Sequence, residues 1–341
     1  MSEAPAPDAQ QQEQPFKPVV AVTGATGFVG RAVVGELRRR GFPVRALARS
    51  AKKAWSVLPE DDGVDVIEGD IFDDDARTRL LDGAGAVVHL IGIRRETGHG
   101  VTFERMHVDA TARIVESATT AGVTRFVQMS ALGTRSGAPS RYHQSKLDAE
   151  LIVRHSGLDW TVLRPSVIHG PDGEFMQMAR GWVTGEAPPK LFLPYFEQPG
   201  KPIDERRLGE SPRASFVQPV AVEDVAWVIG ACLERDATVG EIYPLGGPDA
   251  YSWPQLLEVI RDLLPDAKKS LKPFGVPAPA ALCIARAAGA IGAGNLLPFG
   301  PDDVLLATED SVCSNVKAEK HLGFNPASFA GRVREYADQI G

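Results

Sequence analysis

The sequence predicts an α/β protein, built on a doubly wound parallel sheet with a smaller, interleaved C-terminal lobe. Three observations support this fold class. Apolar runs alternate with helical patterns in the first half, a glycine-rich turn joins the first run to the first helix, and the pattern becomes irregular after Pro171. Alternation of strands and helices is typical of a parallel sheet covered by helices on both faces.

The predicted strands are residues 19–23, 44–48, 64–68, 86–91, 125–130 and 160–164. Between them, apolar residues recur every three or four positions, as at Val29, Val33 and Leu37, and this spacing predicts helices. Sheets of this kind bind ligands at the carboxyl ends of their strands. The residues that follow each strand are therefore the candidates for a functional site.

The domain organisation follows from changes in the pattern. Residues 1–16 are polar and rich in Gln, Pro and Ala, which predicts a disordered tail. Residues 17–170 form the predicted nucleotide-binding domain, and 171–341 the second lobe, from which about 216–245 return to the first domain. Residues 184–215 are rich in Pro, Gly and charge and predict a long loop.

The composition narrows the class of protein. Of 341 residues, 43% are hydrophobic and 24% charged, as in ordinary globular proteins. A net charge of −7 argues against nucleic acid as a partner. The three cysteines, Cys232, Cys283 and Cys313, are widely separated and predict neither a metal site nor a disulfide framework. This usage fits a reducing cytoplasm, and no apolar run is long enough to predict a membrane span.

The turn after the first strand carries the strongest motif. Glycines at 24, 27 and 30 suit a tight strand-to-helix turn in which the backbone approaches a pyrophosphate. The phosphates would bind the free amides at the positive end of the following helix. The residues predicted to contact the nucleotide here are Gly24, Thr26, Gly27, Phe28 and Val29.

A cation follows the second strand, at the position where this kind of fold binds the adenosine ribose. Arg49 and Ser50 lie about 20 residues after the glycine turn. Proteins that prefer NAD(H) tend to carry a carboxylate there, whereas a guanidinium can bind a 2′-phosphate through two hydrogen bonds. The sequence therefore predicts NADP(H) as the preferred cofactor, with NAD(H) as the alternative. The alternative is that Arg49 is a solvated strand end.

Residues after the other strands complete the predicted nucleotide site. Asp70 could accept a hydrogen bond from the adenine amino group, and Gly92 is small enough for the backbone to approach the cofactor. The full set at these strand ends is Asp70, Ile71, Ile91, Gly92, Pro165, Ser166 and Val167. The adjacent His169 is the one histidine that this placement singles out for a test.

A tyrosine and a lysine four residues apart carry the predicted chemistry. Tyr142 and Lys146 would project from one face of a helix, and Ser130 ends the preceding strand. An unperturbed phenol has a pKa of about 10, and a neighbouring ammonium together with the positive nicotinamide ring would lower it. Ser130 would hold a substrate oxygen while Tyr142 moves its proton. A plain helix face remains the alternative.

The motifs together resemble the short-chain dehydrogenase/reductase superfamily, in particular its atypical extended, epimerase/dehydratase-like members. They are the glycine turn at 23–30, Tyr142-xxx-Lys146, and the stretches 163–171 and 218–226. Within that superfamily the chain is similar to bacterial relatives of the NADPH-binding accessory subunit of respiratory complex I. The resemblance covers about residues 17–340 and implies a Rossmann-type domain with a smaller lobe over the nicotinamide.

The resemblance assigns roles to three residues of the predicted site. Ser130, Tyr142 and Lys146 fall where the family's catalytic triad lies, and Lys146 also where the family contacts the nicotinamide ribose. Many family enzymes carry an asparagine on the helix after the fourth strand, but residues 104–109 contain none. The complex I branch largely keeps its NADPH bound as a structural element.

Three functions follow from the sequence. The first is an NADP(H)-dependent oxidoreductase acting on a carbonyl, quinone-like or lipid-like small molecule. The second is a non-catalytic NADPH-binding accessory, assembly or redox-sensing protein, and the third a sugar-nucleotide epimerase or dehydratase. Residues 274–299, with the single charge Arg286, could form an apolar lid, a protein interface, a contact with the inner face of the membrane, or an ordinary core helix.

Overall fold

The structure is a computed structural model that describes residues 17–340 except 99, 199–212, 291–296 and 298. The predicted tail of residues 1–16, the middle of the predicted loop and part of the apolar segment lie outside the described residues.

A seven-stranded parallel sheet forms the centre of the molecule. Its strands run in the order β3-β2-β1-β4-β5-β6-β12, and each pairs in parallel with its neighbours. The strands are β1 (Val19–Thr23), β2 (Val44–Ala48), β3 (Val64–Glu68), β4 (Ala84–His89), β5 (Arg125–Met129), β6 (Asp159–Pro165) and β12 (Glu241–Leu245). The predicted doubly wound sheet is therefore confirmed, and the strand order reverses between β1 and β4.

Helices cover both faces of the sheet because their apolar stripes face it. One face packs against α1, whose Val33, Val34 and Leu37 are fully buried, and against α7 and α11. The other packs against α3, α4 and α5. The helices of this domain are α1 (Phe28–Arg39), α2 (Ala51–Trp55), α3 (Asp74–Leu81), α4 (Ala110–Thr120), α5 (Arg141–Arg154), α7 (Val222–Leu233) and α11 (Val316–Leu322).

The helix that leads into α4 begins with an irregular turn. Residues Glu104–Asp109 form a π-helical turn that continues directly into α4. Such bulges are frequent at functional sites because they turn side chains away from the regular helical positions. This one places His107 in a buried position beside α5.

The C-terminal lobe has its own core, centred on α6, α8 and α12. The α8 helix begins at a capping box formed by Ser252 and Gln255. The remaining helices are α6 (Glu174–Val183), α8 (Trp253–Leu263), α9 (Ala278–Ala290), α10 (Pro301–Ala307) and α12 (Phe329–Tyr336). The remaining strands are β7 (Ile168–His169), β8 (Leu193–Gln198), β9 (Arg213–Ala214), β10 (Phe216–Val217), β11 (Val220–Ala221), β13 (Tyr251–Ser252) and β14 (Pro273–Pro277).

The predicted loop 184–215 is wrong in part. Its first half contains β8 and its last residues form β9, which pair with each other, while β14 pairs with the other edge of β8. The segment 216–245 supplies α7 and β12, which belong to the central sheet and its helical layer. A helix long and apolar enough to cross a bilayer does not occur in the described part of the chain.

Candidate functional site

The glycine turn lies at the point where the strand order reverses. Gly24 has φ +73°, a backbone conformation that favours glycine. A Cβ at Gly24 would lie 3.0 Å from the carbonyl carbon of Leu90, just beyond β4. A Cβ at Gly30 would clash with the carbonyl oxygen of Gly24. The two glycines therefore let the start of α1 sit directly against the turn.

The first turn of α1 presents its backbone rather than its side chains. Gly27 is the N-cap residue and supplies no side-chain hydrogen bond, and the first turn contains no acidic residue. The Phe28 ring packs so closely that a Cβ at Gly170 or Gly173 would lie 3.0 Å from it, and Val29 packs on the core. Amides at a helix N-terminus without a capping side chain suit a pyrophosphate, so these residues fit a dinucleotide.

The end of β2 carries the predicted cation. Arg49 is exposed and forms no ion pair with a described residue. The Ser50 hydroxyl accepts a hydrogen bond from the Lys53 amide at 3.3 Å and caps α2. At the end of β3, one carboxylate oxygen of Asp70 accepts from the Phe72 amide at 3.0 Å, while Ile71 is buried in the core. Ser50 and Asp70 thus already hold their own turns.

Beyond β4 the backbone passes close to Lys146. Ile91 packs against the core, and a Cβ at Gly92 would lie 2.9 Å from the Lys146 Nζ and 3.4 Å from the His107 Nε2. The lysine would have to shift if a larger residue replaced this glycine. The ammonium therefore lies at the reversal point of the sheet, on the same edge as the glycine turn.

Tyr142 and Lys146 lie one turn apart on α5, which begins at Ser140 as its N-cap. The Lys146 Nζ donates to the carbonyl oxygen of Met129 at 3.3 Å, at the end of β5, and lies 6.0 Å from the centroid of the Tyr142 ring. Ser130 is the next residue after Met129 and is buried, with its Oγ 3.3 Å from the Thr134 hydroxyl. The lysine thus connects α5 with the end of β5.

Burial sets the protonation of this pair. It raises the pKa of Tyr142 to about 12, and the Arg94 guanidinium opposes this rise only in part. Desolvation therefore acts against the lowering of the phenol pKa that is expected from Lys146 and a bound nicotinamide ring, and that lowering stays a prediction. Burial also lowers the pKa of Lys146 to about 8, against the opposing charge of Glu150.

His107 is a site residue that the sequence reasoning missed. Its Nδ1 lies 2.8 Å from the Ser145 hydroxyl, and its Nε2 lies 3.0 Å from the Ile93 amide nitrogen. Burial lowers the pKa of His107 to about 2, with the Lys146 charge acting in the same direction. The imidazole is therefore neutral and connects α5 to the loop after β4. It lies in the stretch 104–109, where the resemblance leads one to look for an asparagine.

Two residues after β6 face the C-terminal lobe instead. His169 is buried, its Nδ1 lies 2.8 Å from the Tyr336 hydroxyl, and its ring contacts Phe329. The Ser166 hydroxyl lies 2.8 Å from the Ser311 carbonyl oxygen, while Pro165 ends β6 and Val167 packs on the lobe's core. His169 therefore joins the core to α12, and its selection for a test was wrong.

Arginines lie at the surface beside Tyr142, which we call the entrance: Arg141 precedes Tyr142 in the chain, and the Arg94 charge acts on the pKa of its phenol. Arg94 pairs with Glu174 on α6 at 2.5 Å and with Asp303 on α10, and Arg95 also pairs with Asp303 at 2.6 Å. We call Arg94, Arg95, Arg135 and Arg141 the cationic rim. Asp302 and Glu309 bind the rest of it: Asp302 accepts from the Arg141 amide at 2.9 Å, and Glu309 pairs with Arg135 at 2.7 Å.

Comparison with known proteins identifies the family. A family model described as NAD(P)H-binding matches residues 24–181. The mitochondrial NADH dehydrogenase [ubiquinone] 1 alpha subcomplex subunit 9 of Dictyostelium discoideum is 27% identical over 72% of this chain and 63% of its own length. A (4-alkanoyl-5-oxo-2,5-dihydrofuran-3-yl)methyl phosphate reductase of Streptomyces griseus subsp. griseus is 30% identical over 68% and 69%. A ceramide reductase of Caulobacter vibrioides is 36% identical over 45% and 47%.

Solved structures agree on the fold. An NADPH-dependent quinone oxidoreductase from Escherichia coli superposes with a TM-score of 0.68 at 17% identity, covering 94% of this chain and 99% of that one. The UDP-N-acetylglucosamine 4-epimerase of Bacillus cereus gives 0.64 at 19%, covering 95% and 99%. This chain spans 63% of the Dictyostelium protein and 47% of the Caulobacter one. The chain belongs to the NAD(P)H-binding, epimerase/dehydratase-like members of the short-chain dehydrogenase/reductase superfamily.

Proposed function

We propose that this protein is a cytoplasmic NADP(H)-dependent reductase of a carbonyl or quinone group on an apolar, lipid-like substrate. The observation that carries the proposal is the Tyr142–Lys146 pair at the reversal point of the sheet, with the lysine packed against Gly92. A phenol and an ammonium at the carboxyl edge of such a sheet can serve proton transfer beside a bound nicotinamide.

The choice of NADP(H) rests on Arg49. It lies at the position where this fold binds the adenosine ribose, and it forms no ion pair with a described carboxylate. A 2′-phosphate would bind the guanidinium, the α1 amides would hold the pyrophosphate, and Lys146 would hold the nicotinamide ribose. An NAD(H)-preferring site would gain nothing from an exposed cation at this place.

The protonation of Tyr142 is compatible with reduction of a carbonyl group. With a pKa of about 12 the phenol keeps its proton at neutral pH, so it is ready to act as an acid. When bound, the nicotinamide supplies the hydride to the carbonyl carbon. Tyr142 then donates its proton to the carbonyl oxygen, Ser130 orients that oxygen by a hydrogen bond, and solvent returns a proton to the tyrosine.

An apolar substrate is supported by the surroundings of the site. The α9 helix buries only the small residues Ala278, Ala281 and Ala285, and its other positions are mostly apolar and exposed. It packs with α10, which the cationic rim holds beside Tyr142. Two of the matched proteins are named for ceramide and quinone reduction, in keeping with such a substrate.

The second candidate is a non-catalytic NADPH-binding accessory protein. It is favoured by the ion pairs that join α10 to Arg94 and Arg95 of the first domain, since a firmly attached lobe would help to retain a bound nucleotide. The match to a complex I subunit points the same way and suggests a protein complex, or the membrane beside it, as the partner of residues 274–299. A sugar-nucleotide epimerase is less consistent with Arg49, because those enzymes use NAD.

One experiment separates the first two candidates. Mass spectrometry identifies the nucleotide bound to the purified protein, and absorbance at the reduced nicotinamide band is followed as quinones and long-chain carbonyl compounds are added. The proposal expects bound NADPH that one acceptor class oxidises. Tyr142→Phe should abolish this oxidation and leave NADPH affinity nearly unchanged, while the matched change Tyr251→Phe, in the C-terminal lobe, should leave both the oxidation and the affinity unchanged. NADPH that no acceptor oxidises would favour the accessory role.

A further inference from the structure

Two loops of the C-terminal lobe meet at one edge of its small sheet. Strands β8 and β14 pair in parallel, with Leu193 opposite Pro273 and Phe274 opposite Pro194. Parallel strands begin at the same edge, so the chain just before β8 lies beside the chain just before β14. The Leu193 amide donates to the Lys272 carbonyl oxygen at 2.9 Å, and the Phe192 and Phe274 rings lie 4.9 Å apart.

Large apolar side chains are exposed at this edge. The Leu191 side chain is 82% exposed and Phe274 58%, values that place both on the outside of the molecule. Phe192, which contacts Phe274, is half-buried beneath them. Single exposed apolar residues are ordinary, but an aliphatic and an aromatic side chain protruding together mark a surface that contacts something apolar.

Four lysines lie in the same two loops as the apolar pair. Lys190 precedes Leu191 in the chain, Lys272 lies two residues before Phe274, and Lys268 and Lys269 lie in the same loop. All four are exposed, and none forms an ion pair with a described residue. We call residues 188–192 and 268–274 the basic tip.

The acidic residues of these two loops are held by arginines instead. Glu186 and Asp266 share Arg180, each at 2.9 Å, and Asp262 pairs with Arg261 at 3.0 Å. The lysines therefore keep an excess of positive charge at the tip, although the whole chain carries a net charge of −7. A local reversal of charge around exposed apolar side chains is a feature of surfaces that bind anionic lipids.

We propose that the basic tip docks on an anionic lipid surface, with Leu191 and Phe274 inserted among the acyl chains and the four lysines against the headgroups. The exposed apolar side chains gain from leaving water, and lysines near an anionic surface each add to the attraction. This is a different surface from most of the segment 274–299 considered from the sequence, because it joins two loops that are about 80 residues apart in the chain.

Docking at the tip also suits the position of the site. The strands that carry the tip pack with α9 and α10 through Phe196, Val276 and Val304, and α10 is tied to the cationic rim beside Tyr142. A lipid-like molecule leaving the bilayer would therefore meet the α9–α10 pair before the entrance. The docking itself does not depend on the proposed reaction, because it uses none of the site residues.

Vesicle co-sedimentation of the full chain, without nucleotide or acceptor, tests the proposal. We expect binding to vesicles of phosphatidylcholine with phosphatidylglycerol, little binding to phosphatidylcholine alone, and weaker binding as salt is raised. Replacing the four lysines by glutamine should lower the partition coefficient by about fivefold for each lysine. The Leu191→Ser/Phe274→Ser variant, which keeps the four lysines, should also lower the partition coefficient, without changing its response to salt.

A matched control lies on α11, which packs on β12 and α7 in the other domain. Val316 is 49% exposed and Lys320 is exposed, so Val316→Ser/Lys320→Gln removes one exposed apolar side chain and one positive charge elsewhere. This control should bind vesicles like the unchanged protein. NADPH-induced thermal stabilisation, measured on every variant, shows that each is folded.

Three results would overturn the proposal. The first is that the unchanged protein does not bind the phosphatidylglycerol vesicles. The second is that the tip variants bind them as well as the unchanged protein does. The third is that the α11 control loses as much vesicle binding as the tip variants. A dimer in sedimentation velocity that the Leu191→Ser/Phe274→Ser change dissociates would assign the tip to self-association instead. Loss of turnover with retained vesicle binding would contradict the proposed reductase and leave the docking surface standing.

Discussion

Arg49 is the residue on which the cofactor preference depends. If it binds the 2′-phosphate, Arg49→Asp should weaken NADPH binding by about 1.5–3 kcal/mol, the range for hydrogen bonds to charged groups. NADH, which has no such phosphate, should bind as before or slightly better. Isothermal titration with both nucleotides measures the difference directly.

A second exposed arginine serves as the control for that change. Arg113 lies on α4, is exposed, and pairs with Glu116. Arg113→Asp makes the same change in total charge, so it should leave both affinities unaltered. Equal losses for NADPH and NADH in Arg49→Asp would contradict the assignment, since they would place the effect outside the phosphate.

Lys146 is held in its place at a cost to stability. Its pKa falls from 10.5 in the unfolded chain to about 8 in the folded protein. Between these values the unfolded chain binds more protons, so the free energy of unfolding should rise with pH from about 8 to about 10.5, and the full cost remains below 8. The shift corresponds to about 3 kcal/mol at neutral pH.

Lys146→Met should therefore stabilise the protein at pH 7. The gain should be about 2 kcal/mol, because the hydrogen bond to the Met129 carbonyl oxygen is lost with the charge. Urea unfolding at pH 7 and at about pH 10 should show this advantage shrinking as the lysine of the unchanged protein deprotonates. The exposed Lys320→Met should show neither effect. If Lys146→Met is less stable than the parent at pH 7, burial of the charged lysine does not cost the folded protein stability.

At the scale of single residues, the sequence predicts which residues form the site better than it predicts their burial and pKa. Gly24, Tyr142 and Lys146 can be chosen from their spacing, because glycines in a strand-to-helix turn and an i, i+4 pair are local patterns. The raised pKa of Tyr142 could not, because it depends on burial by residues distant in the chain. His107 could have been found only by asking which polar side chain replaces the asparagine at 104–109.

Among the elements, α5 carries the chemistry and is fixed to the sheet by one buried ion pair. Glu150 is fully buried and accepts two hydrogen bonds from Arg164 of β6, at 2.8 and 2.6 Å. Arg164→Met should destabilise the protein by about 3–5 kcal/mol, because it leaves a buried carboxylate without its partner. Thermal or urea unfolding measures the loss.

The double variant distinguishes the charge from the packing. Glu150→Met/Arg164→Met removes both charges and should recover most of the stability, as replacement of buried pairs by apolar residues often does. Arg154→Met, on the exposed side of the same helix, should change stability little. If the double variant is as unstable as Arg164→Met alone, the packing of the arginine stem rather than the unpaired carboxylate is responsible.

The elements of the first domain follow from local patterns, and those of the second lobe do not. Strands β1, β2 and β3 have the predicted ends, because a buried parallel strand is a short apolar run. Strands β8 and β14 are short and contain proline, and they become strands only by pairing across about 80 residues. The π-helical turn at Glu104–Asp109 likewise depends on contacts of His107 with other segments.

At the scale of the whole molecule, charge joins the two halves at the entrance to the site. Asp303 is 9% exposed and accepts from Arg94 and Arg95, and its other bond is to the Gly300 amide at 2.7 Å. Glu309 and Asp310 extend the contact to Arg135 and Arg213. The apolar cluster under α10 is small, with Ala278, Ala281 and Val304 as its buried members. The ion pairs are thus a large part of what holds α10 in place.

Asp303→Asn should open this contact while the cores stay folded. Losing two partly buried pairs should cost about 1–2 kcal/mol of local stability, between the values for exposed and buried pairs. Amide hydrogen exchange in α9 and α10 should then quicken by about tenfold, whereas the strands of the central sheet should exchange as before.

Added salt should quicken exchange of the same helices in the unchanged protein, because it screens the exposed guanidinium groups of the arginines. The exposed Asp338→Asn should have no such effect. Uniformly faster exchange in Asp303→Asn would show that α10 belongs to the global fold, whereas a change confined to α9 and α10 would show that the entrance beside Tyr142 can open by itself.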